Sequence, residues 1–190
     1  MLVPYGKASF QTQGSDVVFE CQHGPNECYG NKVHACAIEH IQVNSYQNTK
    51  TRESVTLDYV TCLMQTSLNF KDSIFPGGKC ARDLQLPNWH VIEECANSTQ
   101  GSKLLQRYGE LTSSLTKPID VPVITFNHHF DAEQNRLART DLRRAVCNVL
   151  REPKPHECSN LPSSSNNNSA TAATLTIVFA TFFVAFAKLF

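Results

Sequence analysis

Apolar residues recur at intervals of three and four along much of the chain, and this spacing predicts its helices. Four helices are expected to begin near Asn31, Ser54, Asn88 and Gly101, and a last one spans residues 134–150. The apolar positions that define them are Val33, Ala37, Ile38, Ile41, Val55, Leu57, Val60, Leu63, Met64, Trp89, Val91, Ile92, Cys95, Leu104, Leu105, Tyr108, Leu111, Leu137, Leu142, Val146 and Leu150.

Short apolar runs predict strands on either side of these helices. Residues 2–5 form one such run, residues 17–20 a second, and residues 121–126, rich in β-branched side chains, give the strongest strand signal. A tight turn is expected at residues 127–129, Asn-His-His, with a further strand after it. The order of elements predicts an α/β or α+β domain with a helical insertion.

The C-terminal region differs sharply from the rest. Residues 158–187 carry no charge; residues 159–169 have the composition of a polar linker, and residues 170–190 are mostly apolar. Eighteen uncharged residues would reach about 27 Å as a helix, close to the thickness of a bilayer's hydrocarbon core. We therefore expect a folded domain over residues 1–158, a linker, and an apolar membrane-attachment segment.

The nature of that attachment is open. Small residues, a polar spacer and an apolar end are typical of a glycolipid (GPI) attachment signal, whereas Lys188 suits a transmembrane helix whose lysine reaches the interface. A buried terminal helix is the third alternative.

Charge and cysteine content narrow the class of protein. Lys+Arg and Asp+Glu are both 17, so no basic excess indicates nucleic-acid binding. Eight cysteines in 190 residues favour an exported, disulfide-bonded protein, yet the first ten residues, MLVPYGKASF, have no feature of an export signal. We therefore expect the natural N-terminus to lie upstream of Met1.

The cysteine spacing excludes one familiar kind of site. No two cysteines are three residues apart, so the chain contains neither the C-x-x-C of thiol–disulfide exchange proteins nor that of zinc knuckles. The segment CQHGPNECYGNKVHAC, residues 21–36, holds three cysteines and two histidines. It is interpreted either as a zinc site or as a disulfide-bonded loop that leads into a helix, with Gly24 and Pro25 shaping the turn.

The same segment resembles the signature of the gamma-interferon-inducible lysosomal thiol reductase (GILT) family. The fixed positions of that signature are Cys21, Gln22, His23, Gly24, Glu27, Cys28, Asn31 and Cys36. The resemblance extends to LVPYGKA at residues 2–8, to the conserved-proline strand at residues 121–127 and to the last two cysteines, and so covers about residues 2–158.

The resemblance implies a thioredoxin-like fold with a helical insertion, in a glycoprotein that reduces disulfides of protein substrates in the lysosome or outside the cell. Its catalytic C-x-x-C lies on a first strand–helix unit that precedes residues 2–5. The resemblance therefore places the catalytic cysteines upstream of Met1 and assigns none of them to these residues. It implies no cofactor and no metal.

Two further sites follow from the resemblance. The peptide bond before Pro122 is expected to be cis, with the backbone of Val121 pairing with the substrate like an added strand. Cys147 and Cys158 are expected to form a disulfide.

One pair of signature residues has two interpretations. His23 and Glu27 are either proton carriers or, as we favour, groups that hydrogen-bond the signature loop and position it.

Two segments are sequons for N-glycosylation, Asn97-Ser98-Thr99 and Asn167-Asn168-Ser169.

Three hypotheses for the function remain. The first is a GILT-like thiol–disulfide oxidoreductase of the secretory or lysosomal pathway whose C-x-x-C is absent from this sequence. The second is a redox-inactive, disulfide-rich binding module attached to a membrane. The third, a zinc-binding structural domain, has the least support.

Overall fold

A β-hairpin precedes seven helices in the described part of the computed structural model, which covers residues 2–14, 16–47, 49–67, 75–115 and 121–161. The elements are β1 (Ser9–Gln13), β2 (Asp16–Glu20), α1 (Pro25–His40), α2 (Arg52–Ser67), α3 (Gly77–Asp83), α4 (Trp89–Asn97), α5 (Thr99–Ser113), α6 (Ala132–Thr140) and α7 (Leu142–Val149). Short 3-10 turns occupy Ser45–Gln47 and His156–Cys158. The α/β class is confirmed, with a mostly helical chain and a small sheet, whereas the thioredoxin-like arrangement stays a prediction.

The hairpin pairs β1 with β2 in antiparallel register, with Phe10 opposite Phe19 and Gln13 opposite Asp16. Gly14 in the turn has φ 63°, a conformation that glycine adopts without steric cost. The strand at residues 17–20 is thus confirmed, whereas β1 was not predicted. Its sequence, SFQTQ, alternates only weakly between apolar and polar residues, so it is held mainly by its partner.

The main core lies where α1 meets α2, α3 and α4. Its buried residues are Val33, Cys36, Ala37, Ile41, Val55, Tyr59, Leu63, Cys80, Ala81, Leu86, Ile92, Cys95 and Ala96. Two disulfides cross it, Cys36–Cys95 between α1 and α4 and Cys62–Cys80 between α2 and α3. A smaller cluster of Tyr5, Ala35, Leu105 and Tyr108 packs under the hairpin.

The strand predicted at residues 2–5 is wrong. Residues 4–7 form a turn, Leu2 and Val3 are exposed, and Tyr5 is buried against α5. A Cβ added at Gly109 would lie 2.7 Å from the Tyr5 ring, so the glycine leaves the space that the ring fills. No strand among the described residues pairs with this segment, and its residue Tyr5 packs into the smaller core cluster instead.

The strand predicted at residues 121–126 is also wrong. Pro122 has no N–H to donate, and the N–H of Ile124 donates to Oδ1 of Asn135 at 2.8 Å rather than to a strand. The turn after it is confirmed, since Asn127 and His128 have φ 52° and 61°. This turn closes a single bridge between Phe126 and His129, and the described residues that follow form a helix rather than a further strand.

The predicted helices exist, but their ends differ from the prediction. The first begins at Pro25 rather than Asn31, because proline suits the first helical turn and Gly24 precedes it. The helix expected from Gly101 begins two residues earlier, where the Ser98 side chain accepts a hydrogen bond from the N–H of Gln100. The helix expected over residues 134–150 is two helices separated at Asp141.

Several predicted inward positions are wrong as well. Leu57 and Met64 of α2 are exposed and Tyr59 is fully buried. In α7 and just after it, Leu142, Val146 and Leu150 are exposed, whereas Ala145 and Cys147 are buried. The buried face of this helix thus carries small residues, and its larger apolar residues face solvent.

The chain divides into two units, Met1–Val149 and Leu150–Phe190. The predicted attachment segment, residues 170–190, and most of the predicted linker lie outside the described residues. No helix within the described ranges is both long and apolar enough to cross a bilayer. The predicted domain boundary at residue 158 and the attachment segment therefore stay predictions.

Candidate functional site

The signature begins as a closed loop at the N-terminus of α1. A disulfide joins Cys21 to Cys28, with their Cα atoms 5.6 Å apart. Within the loop, the N–H of Gly24 donates to the carbonyl of Cys21 at 3.1 Å, and Gly24 has φ 87°. The interpretation as a disulfide-bonded loop leading into a helix is confirmed, and the zinc interpretation is wrong because all three signature cysteines form disulfides. No group suited to hold a metal ion was found among the residues described.

A second contact within the loop involves His23 and Glu27. Oε2 of Glu27 accepts from the backbone N–H of His23 at 2.6 Å and lies 3.1 Å from its Nδ1. The carboxylate also stands in the first turn of α1, where the helix dipole favours a negative charge. The pair therefore positions the loop, in agreement with the interpretation favoured from the sequence.

Of the remaining signature residues, Gln22 is exposed in the loop before α1, whereas Asn31 and Cys36 lie on α1, as does the neighbouring His34. Cys36 is fully buried in its disulfide with Cys95. Nδ2 of Asn31 and Nε2 of His34 are buried and have no hydrogen-bond partner among the described residues. The His34 ring lies 6.2 Å from that of Phe75, and burial lowers the pKa of His34 to about 4. Apart from the discarded zinc site, nothing in the sequence pattern selects His34, because its neighbour Phe75 lies 41 positions along the chain.

Beside the loop lies a groove of about 690 Å³. It is lined by Val17, Val18, Phe19, Glu20, Cys21, Gly24, Pro25, Cys28, Tyr29, Lys32, Ala96 and Asn97. These residues come from β2, the signature loop, the first turns of α1 and the end of α4. The sequence did not predict this groove, because two of its walls, β2 and the end of α4, lie about 80 residues apart along the chain.

The proline segment has the predicted backbone but does not line the groove. The Val121–Pro122 peptide bond is cis, as predicted. Val121 is exposed to solvent. Neither residue is among those that line the groove, and their role toward a substrate stays a prediction.

The two sequons differ in what the structure describes. Asn97 is an exposed residue at the end of α4, and its Nδ2 donates to the carbonyl of Glu93 at 2.9 Å. Asn167 lies outside the described residues. Glycosylation at either position stays a prediction.

A disulfide between Cys147 and Cys158 is expected from the sequence. Both cysteines are disulfide-bonded, and such a short loop should stabilise the fold by about 3 kcal/mol. Proteolysis without reductant, followed by mass spectrometry, should yield one linked peptide pair that contains both residues. A peptide that joins either of them to another cysteine would show the pairing to be wrong.

Comparison with known proteins adds a wider similarity. A family model described as Gamma interferon inducible lysosomal thiol reductase (GILT) matches residues 1–84. GILT-like protein 1 of Drosophila melanogaster is 49% identical over 174 residues, 91% of this chain and 70% of that protein. The Gamma-interferon-inducible lysosomal thiol reductase-like protein of Anopheles gambiae is 48% identical over 178 residues, 93% of this chain and 73% of that protein. The Gamma-interferon-inducible lysosomal thiol reductase of Carassius auratus is 26% identical over 161 residues, 83% of this chain and 57% of that protein.

Proposed function

The chain belongs to the gamma-interferon-inducible lysosomal thiol reductase family, and we propose that it acts in the reduction of disulfide bonds in protein substrates. The observation that carries this proposal is the signature itself, folded as a disulfide-closed loop at the start of α1 beside an open groove. A loop held by the disulfide and by Glu27 is rigid enough to present a constant surface to a substrate.

The reaction consumes a dithiol, and these residues do not hold one. A thiolate attacks one sulfur of the substrate disulfide, a mixed disulfide forms, and the second thiolate releases the reduced substrate while a new disulfide closes. All eight cysteines of the chain are disulfide-bonded, and none are spaced as C-x-x-C. The proposal therefore includes a C-x-x-C dithiol outside these 190 residues, on a strand–helix unit that would complete a thioredoxin-like fold.

Within that proposal the described residues bind and orient the substrate. The backbone of the exposed residue Val121, ahead of Pro122, would pair with an extended stretch of the substrate next to the dithiol. The names of the relatives suggest action in the lysosome, so the proposal places this protein in the secretory or lysosomal pathway. Glycosylation at Asn97 and membrane attachment through residues 170–190 belong to the same proposal.

A second candidate is a redox-inactive binding module. It is favoured by the observation that every cysteine is already in a disulfide, so that the chain has no thiol to donate electrons. This candidate uses the same groove and loop, and differs only in the fate of the bound disulfide.

Insulin reduction distinguishes the two candidates. With dithiothreitol as electron donor, the 190-residue chain should reduce insulin no faster than dithiothreitol alone, since it has no dithiol pair that can cycle. The same chain preceded by a strand–helix unit that carries C-x-x-C should be at least about tenfold faster. The matched control carries S-x-x-S in the same unit.

One result would contradict the reductase proposal, and another would contradict only the placement of its dithiol outside these residues. Equal rates for the C-x-x-C and S-x-x-S proteins, both folded by circular dichroism, would favour the binding module. Reduction by the 190-residue chain that disappears in Cys28→Ser would show that a signature cysteine is the nucleophile.

A further inference from the structure

The groove beside the signature loop exposes the edge of β2 rather than one of its faces. Four consecutive strand residues line it, from Val17 to Glu20. Side chains of a strand alternate between its two faces, so a surface that touches four residues in a row touches the backbone at the edge.

The backbone of that edge is unpaired. β2 pairs with β1 on one side, and the described residues provide no backbone hydrogen bond to residues 17–20 from any other element. In an antiparallel pair every second residue directs both its N–H and its C=O away from the partner strand. Within residues 17–20, every second residue thus offers a donor and an acceptor, over about 10 Å of strand.

The opposite wall of the groove supplies a positive charge. Lys32 of α1 is half-buried, and its Nζ lies 5.6 Å from the centre of the Phe19 ring. Burial lowers the pKa of this ammonium group, and no carboxylate in the described part of the chain forms an ion pair with it. A partly desolvated cation without a counter-charge favours an anionic group on whatever fills the groove.

The edge and the charge together select one kind of occupant. We propose that an extended segment of the protein substrate adds to the open edge of β2 as a third strand and places an acidic side chain against Lys32; this rests on the proposed function for the identity of the occupant. The backbone of the segment pairs with β2, and its alternate side chains contact Tyr29, Pro25 and the Cys21–Cys28 disulfide across the groove. The site is separate from the Val121–Pro122 backbone, which does not line the groove.

Binding of a cysteine-free peptide tests the proposal on the full 190-residue chain. The probe is a fluorescein-labelled octapeptide of alternating threonine and valine with one central glutamate, and its twin has glutamine in place of glutamate. Fluorescence anisotropy should show about tenfold weaker binding for the glutamine peptide. Amide hydrogen exchange should slow on addition of the glutamate peptide in the segment 17–20 and not in β1.

Matched lysine variants locate the charge. Lys32→Gln should weaken binding of the glutamate peptide about tenfold and leave that of the glutamine peptide unchanged, whereas Lys32→Arg should retain it. Lys79→Gln removes the same charge from α3, away from the groove, and should have no effect. Circular dichroism should confirm that each variant is folded.

Three outcomes would overturn the proposal. These are no binding of either peptide, equal binding of both peptides by the original chain and by Lys32→Gln, and protection of residues 17–20 that appears without peptide and rises with protein concentration. The last result would assign the edge to a second copy of the chain. Because the peptides contain no cysteine, failure here leaves the insulin result untouched, and failure of the insulin assay leaves peptide binding intact.

Discussion

Replacing Cys36 and Cys95 together with alanine should lower the free energy of unfolding by about 4 kcal/mol. Among the pairs Cys21–Cys28, Cys36–Cys95 and Cys62–Cys80, this disulfide closes the longest loop, with a sequence separation of 59. Both of its cysteines are buried in the main core between α1 and α4. A crosslink stabilises mainly by reducing the conformational entropy of the unfolded chain, and the effect grows with loop length. Urea denaturation of the double variant and the original chain measures the difference.

The other two disulfides are the matched controls. Cys62–Cys80 closes a loop with a separation of 18 residues and Cys21–Cys28 one of only 7. Their removal should cost about 3 and about 2 kcal/mol, in that order. Equal losses for all three pairs, or the largest loss for Cys21–Cys28, would contradict a ranking by loop length. The comparison also separates the signature cysteines by role, since Cys36 supports the core while the other two shape the loop.

Acidification from pH 6.5 to pH 4 should reduce stability through His34 by about 3 kcal/mol. Burial lowers the pKa of His34 to about 4 in the folded protein, whereas the unfolded chain has the ordinary value near 6.5. Between these two pH values the unfolded state binds more protons, so protons favour unfolding. The contribution of neutral His34 is therefore fully present above pH 6.5 and is lost as the pH falls toward 4.

The measurement is the pH dependence of unfolding for the original chain and for His34→Gln, which cannot titrate. Many carboxylates titrate in the same range, so the informative quantity is the difference between the two proteins, which should fall by about 3 kcal/mol from pH 6.5 to 4. A constant difference between His34→Gln and the original chain would show that His34 is solvated.

This pH range matters for the proposed function. A protein that acts in an acidic compartment would there lose part of the stability that neutral His34 provides. The disulfides Cys21–Cys28, Cys36–Cys95 and Cys62–Cys80 offset such a loss. Their contribution to stability arises from chain connectivity and does not depend on protonation.

The sequence predicted the helices better than the strands, and particular residues show why. Trp89, Ile92 and Cys95 belong to one amphipathic helix, and that pattern is visible within ten residues. Residues 121–126 have the composition of a strand. However, Pro122 has no N–H to donate and the N–H of Ile124 donates to the Asn135 side chain, so this backbone does not pair as a strand. Strand propensity expresses how well side chains fit a sheet, and it cannot supply the partner on which a strand depends.

The sequence by itself indicated a disulfide-bonded loop leading into α1 at residues 21–28, and the structure supplied the pairing of Cys21 with Cys28. The features of this loop are local, since a cysteine spacing of seven, Gly24 in the left-handed region and Pro25 in the first helical turn all act within eight residues. Only the tertiary structure decided the Cys36–Cys95 pairing, the burial of His34 beside Phe75 and the groove that brings Lys32 to the edge of β2. Each of these joins residues that lie 13 to 59 positions apart. Such contacts form only after the helices pack, and the pattern along the chain does not specify which side chains then meet.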